Sequence, residues 1–174
     1  MSPEIVQELV AVFGVAVRAL LVVIFGQGLL HKLREPARFR AQLQRFEVLP
    51  LGLVFFAALL LTAAEAVLLS GLILAPLVGL PLAAALLLLY ALAMGINVGR
   101  GRVDIDCGCG GTPMPVSSAL VARNLVLVGL ALIALGAGPA SLGSAVTGLL
   151  AGGVCALMYL TLHELAQGGQ AAVR

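Results

Sequence analysis

Five apolar runs, separated by polar or glycine- and proline-rich breaks, organise the chain. The first extends from about Leu9 to Leu30, with Arg18 as its one charged member. At ~1.5 Å rise per residue, such a run as a helix covers a hydrocarbon core of roughly 30 Å. From Val48 to Val98 the single charged residue is Glu65. That stretch is too long for one span and fits two, about 48–69 and 77–98. The turn between them is expected within Ser70–Pro81, where Gly71, Pro76, Gly79 and Pro81 cluster. A fourth span is expected over about 118–135, with Arg123 and Asn124 in its first turns. The break GAGPASLG at 136–143 separates it from a fifth, about 144–165, in which Gly148, Gly152 and Gly153 form a small-residue stripe suited to close helix contact.

Two segments interrupt this apolar pattern. In 31–47, Pro36 suits the first turn of a helix, and Phe39, Leu43 and Phe46 recur at i, i+4 and i+7, while Arg38, Arg40, Gln42 and Arg45 take other faces. The pattern predicts a short amphipathic helix over about 35–46, lying at the membrane interface; a plain connecting loop is the alternative. Residues 99–117, GRGRVDIDCGCGGTPMPVS, are too rich in glycine and proline for a continuous helix and are expected as a loop.

Composition rules out a water-soluble globule. Of 174 residues, 61% are hydrophobic and only 10% charged, and the mean hydropathy is +1.15. So small a polar share cannot cover a compact domain in water. The fold expected is an all-α integral membrane bundle of about five transmembrane helices with one short interfacial helix, a single membrane domain over 1–174. The residues before the first run, MSPEIVQEL, carry two acids and no base, so that run reads as a retained span and not a cleaved leader. Basic residues adjoin membrane helices in short groups, which excludes a nucleic-acid interface. With five spans, nine of the ten basic side chains fall on one side, Arg18 being the exception. The positive-inside rule then puts the N-terminus outside and the C-terminus inside a cytoplasmic membrane, with the 31–47 and 99–117 segments both inside.

The densest chemistry is Asp104-Ile105-Asp106-Cys107-Gly108-Cys109-Gly110-Gly111. A thiolate is the attacking species in disulfide exchange, so the surroundings of a cysteine govern its reactivity. Cysteines separated by one glycine close only a tight ring, and strained disulfides are the more oxidising ones. Arg100, Arg102 and Arg123 can favour a thiolate; Asp104 and Asp106 oppose it. A rival use is a metal site, with two thiolates joined by Asp106 or His163, although the spacing is unlike a standard zinc pattern. Cys155, in the last span, is either a third thiol for relay or a small packing residue beside Gly152, Gly153 and Ala156. Charges within lipid are costly and usually paired, and the expected span limits put Arg18 and Glu65 roughly 8 Å apart in depth. An Arg18–Glu65 ion pair is therefore expected, or else Glu65 is a protonatable group beside a bound quinone or thiol. Tyr90, Asn97 and His163 read as interhelical hydrogen-bonding residues.

The order of several elements resembles the MauE/DoxX-like family of redox-associated membrane proteins, and within it the MauE family. These elements are Phe25, Lys32-Leu33, Pro36-Ala37-Arg38-Phe39, Leu49-Pro50, Glu65, Asn97 with Arg100-Gly101-Arg102, Asp106-Cys107-Gly108-Cys109, and Val121-Ala122-Arg123-Asn124-Leu125. The family pattern continues Cys-Gly-Cys-Phe-Gly, whereas Gly110 stands here in place of the phenylalanine. The resemblance implies a compact helical bundle in the bacterial inner membrane and a redox pair at Cys107 and Cys109. It also implies a site shaped by Glu65, Arg100, Arg123 and Asn124. As partner it implies a thioredoxin-like, MauD-like protein, in maturation of a disulfide-rich exported enzyme such as methylamine dehydrogenase. Through relatives linked to quinone chemistry, and a plan similar to vitamin K epoxide reductase, it leaves open a membrane quinone.

Three functions are therefore expected in competition: a membrane thiol–disulfide redox protein, a non-enzymatic assembly factor whose cysteines brace a loop, and a small-solute or thiol transporter whose path is lined by Arg18 and Glu65. Thiols at the cytoplasmic face sit awkwardly with an exported client. Relay across the membrane, a loop folded back into the bundle, or an inverted topology each resolves this.

Overall fold

The computed structural model describes residues 2–106 and 115–171, with side chains described as far as Thr161. Cys107, Cys109 and the side chain of His163 lie outside that range. The described chain is helical: α1 (Pro3–Arg34), α2 (Pro36–Arg45), a 3-10 turn at Leu51–Leu53, α3 (Val54–Leu74), α4 (Pro76–Gly99), α5 (Ser118–Ala134) and α6 (Leu142–Ala171). Among the described residues four helices are long and apolar enough to cross a membrane; α5 is apolar but has 17 residues. At ~1.5 Å per residue α5 is about 25 Å long, just short of a typical hydrocarbon core.

Proline sets two of the boundaries. The residue before a proline is pushed out of helical backbone angles, and both Glu35 (φ −129°, ψ 60°) and Ala75 (φ −142°, ψ 75°) break their helices there. Pro36 and Pro76 then start α2 and α4, where a missing N–H costs nothing. The turn between the second and third spans is thus a single residue, Ala75, and α3 runs through Gly71 up to Leu74. Gly79 lets the two helices meet immediately after the turn: a Cβ there would lie 2.6 Å from the Leu72 Cα. Because α3 starts at Val54 and not at 48, every depth counted along it shifts by about 9 Å.

α1 packs most extensively against α6, and also against α3 and α5; α4 packs against α5 and α3, and α2 lies on α3 and α1. The expected small-residue stripe is used. A Cβ on Gly148 would approach Val15 Cβ to 2.6 Å, and one on Gly152 would approach the Ala16 carbonyl to 2.6 Å, while Gly153 faces open space. The core joins Leu21 and Phe25 to Leu68, Leu72, Leu80, Leu87, Leu127 and Ala131. Outward faces are apolar too: Phe56, Leu60, Leu74, Leu77, Val126, Ile133 and Leu150 are each more than half exposed. A helix bundle apolar inside and out, with its backbone bonds closed within helices, is built for lipid as solvent.

One polar end is strapped down. Arg102 bonds the Glu47 carboxylate at 2.7 Å and the Arg45 carbonyl at 3.1 Å, and Arg100 donates to the Glu47 carbonyl at 3.4 Å. Glu47 itself has a left-handed backbone, φ 47°, and the two arginines hold that strained residue between α2 and α3.

Candidate functional site

A cavity of about 210 Å³ opens between α1, α2, α3 and α4, with α5 and α6 closing one side. Its walls are chiefly apolar, including Phe25, Phe39, Phe46, Leu61, Leu87 and Met94. Polar atoms come from Lys32, Gln42, Glu65, Tyr90, Arg123, Asn124 and Tyr159.

The centre of the site is an ion pair between Lys32 and Glu65, which are 5% and 1% exposed. The Tyr90 hydroxyl donates to Glu65 Oε1 at 2.6 Å and lies 3.4 Å from Lys32 Nζ. The Lys32 ammonium also stands 4.9 Å from the Phe39 ring centre and 5.2 Å from that of Tyr90. Aromatic faces attract a cation most when water is absent. Gly28 keeps the space beside the pair open; a Cβ there would be 4.0 Å from both Glu65 Oε2 and Lys32 Nζ.

These contacts correct the expected Arg18–Glu65 pair. Glu65 lies level with Gly28 on α1, ten residues from Arg18, which is roughly 15 Å along the helix. Arg18 instead donates from Nε to the Leu72 carbonyl at 3.2 Å. That carbonyl is among the last four of α3, which have no partner within the helix, so Arg18 caps a helix end as a cation there should. Neither Arg18 nor Arg100 lines the cavity.

Gln42 is a second correction. It points inward from α2, 7% exposed, and donates from Nε2 to Asp106 Oδ2 at 2.6 Å. Phe39 and Phe46 are buried as the periodicity predicts, so α2 is a wall of the cavity and not merely a helix resting on the headgroups. Asp106 also pairs as an isolated antiparallel bridge with Pro115, and Val116 N–H donates to the Ile105 carbonyl at 2.8 Å. The two ends of the Cys-Gly-Cys segment are therefore fastened side by side, and the first is tied to a cavity-lining residue.

On the far wall Arg123 donates to the Tyr159 hydroxyl at 3.0 Å and to Asn124 Oδ1 at 3.2 Å, and Asn124 is 2% exposed. Asn97, fully buried, bonds within its own helix to the Ala93 carbonyl at 3.0 Å, not between helices. Cys155 lies on the exposed face of α6 and off the cavity lining, so of its two expected uses the packing one is not met. Among the described residues no three His, Cys, Asp or Glu side chains gather as a metal site would require.

The model for the family "methylamine utilisation protein MauE" matches residues 10–137. This chain belongs to the MauE family. The methylamine utilization protein MauE of Paracoccus denitrificans is 46% identical over 167 residues, covering 91% of this chain and 89% of that protein. No solved structure matches. The family match spans Lys32, Gln42, Glu65, Tyr90, Cys107, Cys109, Arg123 and Asn124, while Cys155 and Tyr159 fall beyond it. The segment that the family model matches carries the ion pair and the Cys-Gly-Cys thiols together.

Sequence reasoning missed Lys32 as a site residue by counting it with the basic loop. Its signal was present: Ala11, Gly14, Val17, Leu21, Phe25, Gly28 and Lys32 form one buried stripe at three- and four-residue steps.

Proposed function

We propose that this MauE-family chain is a membrane thiol–disulfide redox protein that exchanges electrons or disulfides with a thioredoxin-like, MauD-like partner, in maturation of a disulfide-containing exported enzyme such as methylamine dehydrogenase. The observation that carries the reading is the fastening of the Cys-Gly-Cys segment: Asp106 is held by Gln42 and bridged to Pro115 at the edge of the cavity. A thiol pair that must meet a partner protein needs a fixed base, and this one has it on both sides.

In the exchange, the thiolate of one cysteine attacks the partner's disulfide, forming a mixed disulfide and releasing one partner thiolate. The second cysteine then attacks the mixed disulfide. Cys107–Cys109 is left oxidised and the partner carries two thiols. The reverse exchange passes through the same mixed disulfide, with electrons and protons conserved. Arg123 and Asn124 supply positive charge and hydrogen bonding at the cavity wall, Glu65 balances Lys32, and Arg100 acts through the strap to Glu47.

The apolar walls suit the ring of a membrane quinone, and Lys32 and Arg123 on the lining would donate to its carbonyl oxygens.

The chain is read as five crossings of the bacterial inner membrane, N-terminus outside, with the basic α2 end and the cysteines at the cytoplasmic side. Reducing equivalents then enter at that side and serve an exported client across the membrane. The opposite orientation would set the thiols directly before the client.

The test expresses Cys107→Ser and Cys109→Ser separately, quenches with acid, alkylates, and seeks a partner-linked species by non-reducing mass analysis. Removing the resolving thiol should trap the mixed disulfide in one variant. If neither variant traps a partner, and the native pair stays reduced across the physiological potential range, the redox reading fails and an assembly role replaces it.

A further inference from the structure

The cations around α2 do not all serve the fold. Lys32 is buried against Glu65, Arg38 pairs with Glu35 at 3.1 Å, and Arg102 pairs with Glu47 at 2.7 Å. Among the described residues Arg40 has no carboxylate partner; its guanidinium stands 5.7 Å from the ring centre of Phe55. Asp106, held by Gln42, belongs to the other side of α2, since two residues turn a helix by about 200°. Gln44, one turn beyond Arg40 on the same face, is exposed.

The ring beneath that guanidinium begins an apolar strip on the outside of α3. Phe55 and Phe56 are more than half exposed, and so are Leu59, Leu60 and Val67 further along the same helix. From Phe56 to Val67 is about 17 Å of helix, close to one leaflet of a roughly 30 Å hydrocarbon core. A cation without a partner therefore sits at the head of a strip as long as a leaflet is deep.

We infer that α2 and the outer face of α3 hold an anionic phospholipid, with its phosphate on Arg40 and Gln44 and an acyl chain along Phe56, Leu60 and Val67. Guanidinium N–H groups match phosphate oxygens in pairs, and the Gln44 amide adds a donor. An acidic protein would answer the charge and leave the strip bare. A zwitterionic lipid would cover the strip, but its own cation offsets the attraction.

The inference stands apart from the thiol exchange, and its test reads bound lipid. The full chain in detergent is mixed with equimolar dioleoyl phosphatidylglycerol and dioleoyl phosphatidylcholine, and the retained lipids are counted by native mass spectrometry. Phosphatidylglycerol should be retained in clear excess. A basic side chain near an anionic lipid is worth about a fivefold change in binding, so Arg40→Gln should lower the excess by about that factor. Arg40→Lys should keep most of it. Arg45→Gln removes an equal charge from the same end of α2, away from the strip, and should leave the ratio unchanged. On the unaltered chain, raised ammonium acetate should reduce retention of phosphatidylglycerol and not of phosphatidylcholine, because salt screens an exposed charge; orthophosphate in excess should displace neither. Equal retention of the two lipids would overturn the inference. So would equal losses in Arg40→Gln and Arg45→Gln, which would mean a diffuse field with no site, or displacement by orthophosphate, which would mean a bare anion site. An unchanged lipid ratio in Arg40→Gln, with weaker mixed-disulfide trapping in the loop variants, would give this face to an acidic protein partner instead.

Discussion

Replacing Lys32 by methionine keeps the length of the side chain and deletes the charge opposite Glu65. Both residues are almost wholly buried, at 5% and 1% exposure, so the Glu65 carboxylate would keep only the Tyr90 hydroxyl as a donor. Breaking a buried pair from one side costs about 3–5 kcal/mol, whereas replacing both partners with apolar groups is often neutral. For a chain of this size ~1 kcal/mol corresponds to about 2–4 °C in melting midpoint. Lys32→Met and Glu65→Leu should therefore each lower the midpoint by roughly 10 °C, and the double variant should recover most of that loss. The protein has no tryptophan, so the assay is the fraction remaining monodisperse on size exclusion after a heating series in detergent. Additive losses in the double variant would refute the pairing, because uncoupled sites add.

Four further outcomes follow from the same contacts. Arg18→Leu should cost about 1–2 kcal/mol through the lost bond to the Leu72 carbonyl, and combined with Glu65→Leu its effect should add, as expected of side chains roughly 15 Å apart; strong coupling in that cycle would restore the pairing read from the sequence. Gly152→Val should destabilise through collision with the Ala16 carbonyl by about 1–3 kcal/mol, while Gly153→Ala should be close to neutral; equal effects in a melting comparison would contradict the α1–α6 contact. In a cysteine-free background, Gln44→Cys should react with an impermeant maleimide only after the cells are opened, and Gln42→Cys should react far more slowly; labelling of Gln44→Cys in intact cells would invert the orientation. Cys155→Ser should leave mixed-disulfide trapping by the loop variants unchanged, and loss of trapping would give the α6 thiol a role.

The helices were legible because apolar runs, glycine and proline leave strong marks on a sequence. Proline marked where α2 and α4 begin, but nothing in the apolar run marked that α3 starts at Val54 and not at 48, or that α1 continues to Arg34. Depths counted from those misplaced ends made Arg18 look like the partner of Glu65. Which charged side chain reaches which depends on rotation and tilt of packed helices, and an isolated sequence encodes these only as stripes. α1 carried such a stripe through Lys32, and α3 carried one through Val54, Ala58, Glu65, Leu68 and Leu72. Gln42 was misread for a different reason. Its inward position satisfies Asp106, sixty-four residues away in sequence, and no local periodicity reports a partner so distant. The thiols were legible as chemistry, not as geometry.

The closeness of α1 and α6 bears on how the chain is made. α1 leaves the ribosome before α6, with which it has its most extensive contact, and Leu142 follows Arg34 by 108 positions. At ~5–20 residues per second, α1 waits about 5–20 s for its mate. Throughout that wait Val12, Val15, Ala16 and Ala19, the face that later receives Gly148 and Gly152, is turned toward lipid or toward whatever helix passes by. A nascent chain stalled before α6 would still offer that face, making it a place where membrane quality control can tell an unfinished bundle from a finished one.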